Sequence, residues 1–353
     1  MTHDTSPSSS PRESVPKKPE NGSLSGTESS HVGSTDHSDA DSAFPLSGKC
    51  TEKAGKRFTF PADRLRIGLI GYPIGHSQSP ALFRGYFADR PDILQHWNYD
   101  LIERDSFPDA YAAFLRDYVA VNVTTPFKEE AFRAADVRDR SAGLCQASNL
   151  LMKSRFTVCD SVSGADSQSL AGLNGERESI VAYNTDYEAV MEILRDEFPG
   201  LASRIRVLVL GCGGAGKAAA AAAYMAGMQV CICNRTLSRA QDFASHLSQF
   251  NRHIPDTRSE RPGHVTAAGL TDIVSEIMDS DVVINALPGP GSEEILRSLP
   301  GGQPDIFTDK LILEASYKSP CLDRVLCRRY ISGLVWLRLQ ALATYRIILG
   351  PDI

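Results

Sequence analysis

Two α/β domains, one of them an open parallel sheet with helices on both faces, are what this sequence predicts. Three observations carry that expectation. Short β-branched runs recur along most of the chain, stretches of helical spacing separate them, and one glycine-rich turn stands between such a run and an alanine-rich stretch. With 353 residues, 42% of them hydrophobic, the chain can bury two modest cores.

Composition excludes several functions. A net charge of -6 gives no electrostatic case for binding nucleic acid or an anionic membrane. The eight cysteines are scattered without a C-x-x-C pair, which suits a reducing cytoplasm, and the eight histidines show no H-E-x-x-H spacing, so no metal is expected. Between Val207 and Cys233 the only formal charge is Lys217, a length that invites a membrane reading. Glycines cut that run into β-branched, alanine-rich and again β-branched pieces, the pattern of strand, turn, helix and strand.

Residues 1–60 are rich in Ser, Pro, Gly and charge and cannot form a core, so a disordered tail is expected there. Its acidic residues, Asp4, Glu13, Glu20, Glu28, Asp36, Asp39 and Asp41, argue against a mitochondrial transit peptide. From Arg66 the texture changes. "RIGLIG", "YVAVNVTTP" and "SIVAYN" read as buried strands, with helical patterns such as "DSFPDAYAAFLRDY" between them. "CDSVSGADSQSLAGLNGERES" interrupts them with loop chemistry and reads as an exposed insertion. The helix-like "TDYEAVMEILRDEF" leads to a second alternating block: "RVLVLG", "VCICN", "HVTAAG", "DVVINALP" and "LILEAS".

The stretch "GCGGAGKA" (211–218) fits two phosphate-binding patterns. A triphosphate cradle needs a hydroxyl directly after its lysine to hold magnesium, and Ala218 stands there. A dinucleotide turn needs a strand before it and a helix after it, which "RVLVLG" and "KAAAAAAYMAG" supply, with Gly211, Gly213 and Gly216 at the G-x-G-x-x-G positions. An NAD site would place Asp or Glu at the end of the next strand. Here stand Asn234, Arg235, Thr236 and, one turn on, Arg239, whose guanidinium and hydroxyl groups suit the extra phosphate of NADP; Thr236 as an ordinary helix cap is the plainer alternative.

Three polar clusters lie where apolar strands end. Ser77 and Ser79 are two apart, so in extended geometry both hydroxyls face one side and can hold a carboxylate; a serine-rich turn before a helix starting near Pro80 is the alternative. Thr124 and Lys128 follow one strand, Asn184 and Asp186 another. Reduction of a ketone needs a hydride and a proton, and a lysine paired with a carboxylate can deliver the proton. Lys128 and Asp186 are the candidates, though Asp186 is also placed to cap the helix it begins.

The ordered set "GYPIGHSQSP", "VNVTTPFKEE", "QASNL", "AYNTD", "GCGGAGKA", "NRTLSRA", "DVVINALPG" and "LRLQALATY", over residues 64–350, resembles the shikimate and quinate dehydrogenase family. The resemblance implies a substrate-binding catalytic domain over 61–190, completed by a C-terminal helix over 334–353, an NADP-binding Rossmann-like domain over 200–333, and a cleft between them. It implies that Ser77 and Ser79 bind the substrate carboxylate, that Thr124, Asn149 and Gln340 contact ring hydroxyls, that Tyr317 lines the pocket, and that Lys128 and Asp186 are catalytic. Gly211, Gly213, Gly214, Ala215, Gly216, Asn234, Arg235, Thr236 and Arg239 fall on the cofactor positions. Shikimate or dehydroshikimate is the implied substrate, with quinate dehydrogenase activity or a catalytically weak ligand sensor as alternatives.

The sequence also departs from the family's pattern. Phe83 and Arg84 replace a usual His-Asn, Leu150 a Thr, Tyr187 and Ala189 glycines, Leu287 a Thr and Trp336 a Met, and the insertion before Tyr183 is long. These changes bear on which ring acid is taken.

Overall fold

The computed structural model describes residues 65–157, 176–200, 202–250, 263–298 and 304–350. The tail expected over 1–60 and residues 159–175 of the expected insertion lie outside them.

The first sheet contains β1 (Leu65–Gly71), β2 (Trp97–Glu103), β3 (Ala120–Val123), β4 (Val137–Arg138), β5 (Leu150–Thr157) and β6 (Glu176–Tyr183), in the order β2-β1-β3-β5-β6-β4. Strand β5 runs antiparallel to both β3 and β6, and the other pairings are parallel. This sheet is therefore mixed. Residues 176–179, expected as loop, belong to β6, because their backbone pairs with β5 from Glu176 opposite Thr157 to Ser179 opposite Ser154. Its helices are α1 (Ser79–Tyr86), α2 (Pro91–His96), α3 (Phe107–Asp117), α4 (Lys128–Ala134), α5 (Arg140–Cys145) and α6 (Thr185–Glu197).

The second sheet is wholly parallel. It comprises β7 (Arg206–Leu210), β8 (Gln229–Cys233), β9 (His264–Ala268), β10 (Val282–Asn285), β11 (Leu311–Glu314) and β12 (Arg329–Ile331), in the order β12-β11-β10-β7-β8-β9. Counted from β7 this is 3-2-1-4-5-6, the doubly wound order whose chain reverses direction between β7 and β10. Helices α7 (Gly214–Met225), α8 (Leu237–Phe250), α9 (Ile273–Asp279) and α10 (Gly289–Ser298) connect its strands. Every residue of β10 and β11 is buried, and each strand is three apolar residues closed by one polar residue, Asn285 or Glu314, as suits central parallel strands covered on both faces. In α7, Ala218 to Ala223 are all buried; six small side chains let that helix lie close to its neighbours on every side.

The last helix, α11 (Gly333–Leu349), returns to the first sheet, where it packs along α6 and against α1. Its start is clamped. A Cβ on Gly333 would lie 2.6 Å from the Ala315 carbonyl oxygen and 2.8 Å from that of Glu314, so only glycine lets the helix approach the end of β11 so closely. Glu314 is itself completely buried. Its carboxylate accepts hydrogen bonds from Asn285 Nδ2 (3.0 Å), Cys321 N (2.8 Å), Leu322 N (3.2 Å) and the Tyr330 hydroxyl (2.9 Å), which secures the loop carrying Tyr317.

Candidate active site

Strand ends and helix starts supply the polar residues. Lys128 opens α4 directly after the β3 turn, and Asp186 lies in the first turn of α6 directly after β6. Lys128 Nζ donates to Asp186 Oδ2 at 2.6 Å, with the two side chains only 14% and 8% exposed. A cation at a helix N-terminus is electrostatically misplaced, whereas a carboxylate there is favoured; placing the two starts together offsets the first with the second. Asp186 does not cap α6. Asn184 does, its Oδ1 accepting from Tyr187 N at 3.1 Å, which frees the Asp186 carboxylate to face Lys128.

The second oxygen of Asp186 is also engaged: Trp336 Nε1 donates to Oδ1 at 3.0 Å. Beside this pair runs a chain of buried hydrogen bonds. Asn149 Oδ1 accepts from Thr185 N (2.7 Å), and Asn149 Nδ2 donates to Thr185 Oγ1 (3.0 Å) and to Gln340 Oε1 (3.3 Å). Thr185 Oγ1 lies 3.2 Å from Thr344 Oγ1, Thr344 accepts from Asn122 Nδ2 (3.0 Å), and Asn122 Oδ1 accepts from the Tyr99 hydroxyl (2.9 Å). Burial pushes the Tyr99 phenol well above its ordinary range. The chain thus runs from Tyr99 to Thr185, the residue before Asp186.

Ser77 and Ser79 do meet, Oγ to Oγ at 3.1 Å, but not as alternate residues of an extended strand. Ser77 N donates back to Ile74 O at 2.8 Å and Ser79 is the first residue of α1, so a turn into a helix brings the hydroxyls together. Thr124 is half-buried at the end of β3, its methyl over Gly71, where any side chain would collide with it. Tyr317 is half-buried, three residues after the end of β11. Tyr99, Asn122, Thr185 and Thr344 were not expected from sequence; nothing in their spacing marks a tyrosine, an asparagine or a threonine as one link in a buried chain.

The glycine-rich turn lies at the reversal point of the second sheet. Gly211 has φ +101°, a left-handed conformation that favours glycine, and Leu287, just after β10, would lie 3.0 Å from a Cβ placed there. A Cβ on Gly216 would collide with the Gly211 carbonyl oxygen, so α7 can approach the turn only through glycine. Gly213 has open space where a side chain would be, at the N-terminal end of α7. Free backbone N–H groups of the first helical turn, including those of Gly214 and Ala215, therefore face a cradle that a pyrophosphate can fill. Cys212 N donates to Asn234 Oδ1 at 3.2 Å and Asn234 Nδ2 to Thr236 O at 2.9 Å, which holds the end of β8 against the turn. The Thr236 carbonyl also accepts from Arg239 N at 3.2 Å. Arg235 is exposed beside it.

Two contacts join this turn to α4. The stem of Lys128 lies where a Gly214 side chain would be, and the Glu129 carboxylate binds both Lys217 Nζ (3.0 Å) and Arg239 Nη2 (2.8 Å). Burial pushes the Glu129 carboxyl up, but the Lys217 hydrogen bond and the charges of Lys217, Arg239 and Arg133 outweigh it and hold the group below the ordinary carboxylate range. Arg239 is thus paired with a carboxylate of α4, a partner the sequence reading did not anticipate.

The unusual residues distribute unevenly. Phe83 is core, packed edge-on against Tyr345 and tilted against Tyr99, while Arg84 is exposed on α1. Leu150 and Ala189 are buried core residues, and Tyr187 packs against the core beneath α7. Leu287 and Trp336 touch the candidate site itself. Among the described residues, no group of three or more His, Cys, Asp or Glu side chains is arranged to hold a metal ion, and no helix is long and apolar enough to cross a membrane.

Residues 69–151 match the family described as shikimate dehydrogenase substrate binding domain, and residues 192–296 match the family described as shikimate / quinate 5-dehydrogenase. The chain is similar to the shikimate dehydrogenase (NADP(+)) of Pseudoalteromonas atlantica, 28% identical over 273 residues, which cover 77% of this chain and 82% of that one. To the shikimate dehydrogenase (NADP(+)) of Halorubrum lacusprofundi it is 28% identical over 291 residues, covering 81% and 93% of the two chains. Among solved structures, an Ael1 enzyme from Pseudomonas putida superposes with a TM-score of 0.57 at 25% identity, covering 80% of this chain and 92% of that one.

Proposed function

The chain belongs to the shikimate and quinate dehydrogenase family, and from that premise we propose that it interconverts shikimate and 3-dehydroshikimate with NADP as hydride carrier. The observation that carries this reading is the 2.6 Å contact between Lys128 and Asp186, two side chains 58 residues apart that would each pass for an ordinary surface charge in isolation. Both are largely withdrawn from water beside a buried chain of hydroxyl and amide groups.

NADP fits the residues at the turn. The cradle at α7 offers backbone donors, and β8 is followed by Asn234, Arg235 and Thr236 with no carboxylate to repel an added phosphate. Bound there, the nicotinamide supplies or accepts the hydride. In the reducing direction the Lys128 ammonium donates a proton to the oxygen that gains charge as the ketone becomes an alcohol. Asp186 holds the ammonium in line, and the same nitrogen takes the proton back in the oxidising direction. Ser77 and Ser79 hold the substrate carboxylate in this scheme. Asn149, Gln340 and Thr124 bind ring hydroxyls, and Tyr317 lines the pocket.

The test is an absorbance assay for reduced nicotinamide, with shikimate or quinate and NADP or NAD in all four combinations. Turnover with shikimate and NADP is expected, and Lys128→Ala should lower it by about 10²- to 10⁴-fold with cofactor binding retained. Undiminished turnover in that variant would end the reading. Turnover with quinate alone would correct the substrate.

A further inference from the structure

Asp186 stands in an unusual setting: each of its oxygens is bound by a different element. Oδ2 faces Lys128 from α4, and Oδ1 accepts the indole N–H of Trp336 from α11. Trp336 is 3% exposed, packed in the core that joins α6, α7 and α11, and it sits one turn into a helix whose first residue is clamped against the end of β11. Its position is therefore set by the fold and not by the carboxylate.

The chemistry of this donor is specific. An indole N–H gives one hydrogen bond, accepts none, and does not titrate, so it holds Oδ1 in the same way at every working pH. The terminal torsion of an aspartate is broad, so a carboxylate held at one oxygen only is free to swing. Held at both, it presents a fixed plane. A carboxylate accepts about four hydrogen bonds, so the two made by Lys128 and Trp336 leave room for a substrate hydroxyl.

We propose that Trp336 is a positioning residue for the Lys128–Asp186 pair: its N–H pins Asp186 Oδ1, which keeps Oδ2 aimed at the Lys128 ammonium and at the reacting hydroxyl. The proposal rests on the reading that this pair moves the proton. It assigns Trp336 no contact with that proton.

The experiment uses the full chain. Trp336→Phe removes the N–H and part of the ring. Benzothienylalanine incorporated at position 336 removes only the N–H and keeps the bicyclic shape. Both should lower kcat with shikimate and NADP by about 10- to 100-fold, the loss expected when a catalytic group shifts by a fraction of an ångström to one ångström. The KM for NADP should stay within about twofold. The chain has two tryptophans, Trp97 and Trp336, so a ¹⁵N-labelled sample shows two indole N–H resonances, and Trp97→Phe identifies which is which. Asp186→Ala should move the Trp336 resonance upfield.

An unmoved resonance in Asp186→Ala would mean the hydrogen bond is not made in solution, and would overturn the proposal. Wild-type kcat in the benzothienyl protein would also overturn it, leaving Trp336 as core filling. Failure of the underlying reading looks different: Lys128→Ala would then keep its turnover whatever is placed at 336.

Discussion

Gly214→Ala tests whether the Lys128 stem rests on this glycine in the active protein. A Cβ at Gly214 would stand 2.8 Å from both Cβ and Cδ of Lys128 and 3.3 Å from its Cγ. Carbon atoms in good contact lie about 3.5–4.0 Å apart, so about 1 Å of separation must be found. Lys128 Cβ is fixed to the first residue of α4, so the near end of the side chain cannot swing aside and the stem must shift bodily. A 2.6 Å bond from Lys128 Nζ to Asp186 lengthened by that amount passes out of hydrogen-bonding range. Misplacement on this scale costs a catalytic group about 10²-fold, so kcat for shikimate oxidation should fall by about two orders of magnitude. Stability should fall modestly, since an overpacked contact costs about 1–3 kcal/mol and helix propensity offsets only part of it. Gly214 has no positive φ, and alanine is the better helix former by about 0.5–1 kcal/mol in a helix interior, with less of that gain in a first turn. Steady-state assays with NADP and a thermal melt of the same preparation measure the two effects side by side. Wild-type kcat in Gly214→Ala would refute the reasoning, because the Lys128 stem would then not rest on this glycine in the active protein. Gly216→Ala is the contrast: its Cβ meets the Gly211 carbonyl oxygen, a backbone atom, so the turn itself must deform and cofactor binding should be lost.

Glu129→Gln removes the charge that competes with a cofactor phosphate for Arg239, and should lower the KM for NADP several-fold while leaving that for NAD unchanged; equal effects on both cofactors would place Glu129 outside the phosphate site. The Glu129 carboxyl is held below its unfolded value, so its contribution to stability is present above the ordinary carboxylate range and is lost as pH falls through the depressed value. Melts of wild type and Glu129→Gln should therefore differ near neutrality, by less than about 1 kcal/mol for pairs this exposed, and converge in acid. Arg235→Asp places a carboxylate at the end of β8 and should shift preference from NADP towards NAD, read as the ratio of kcat/KM values; an unchanged ratio would make Arg235 a surface charge only. Glu314→Gln puts an amide NH₂ against donors on at least one side, since all four partners of Glu314 donate, and should cost about 1–3 kcal/mol in a urea titration.

Much of the architecture was legible because local chemistry and global fold agree. The runs Val207 to Leu210 and Val282 to Ile284 are apolar throughout, as buried parallel strands must be, and Gly211 and Gly216 each answer a steric or conformational demand that no other residue meets as well. The direction of β5 was not legible, since a run such as Leu150 to Met152 has the same texture whichever way it pairs. Lys128 and Asp186 came to notice as polar residues just past strand ends, but their contact depends on two helix starts facing each other, which spacing does not encode. Trp336 shows the limit most clearly. Its indole lies 150 residues beyond Asp186, and the sequence shows only an apolar residue in an apolar helix. The carboxylate that takes up Arg239 lies 110 residues away, and one acidic residue of helix α4 looks like any other.

The return of α11 to the first sheet also sets an order of events during synthesis. Thr344 completes the Asn122 amide 222 residues after that asparagine is made, and Trp336 reaches Asp186 only after β7 to β12 have been translated. At about 5–20 residues per second, Asn122 waits about 10–45 s for its partner. The parallel sheet draws all six of its strands from one uninterrupted stretch of chain and can close during that interval. The half of the molecule that emerges first is thus the half that finishes last, its polar chain still missing Gln340 and Thr344 after every strand of the second sheet has been made.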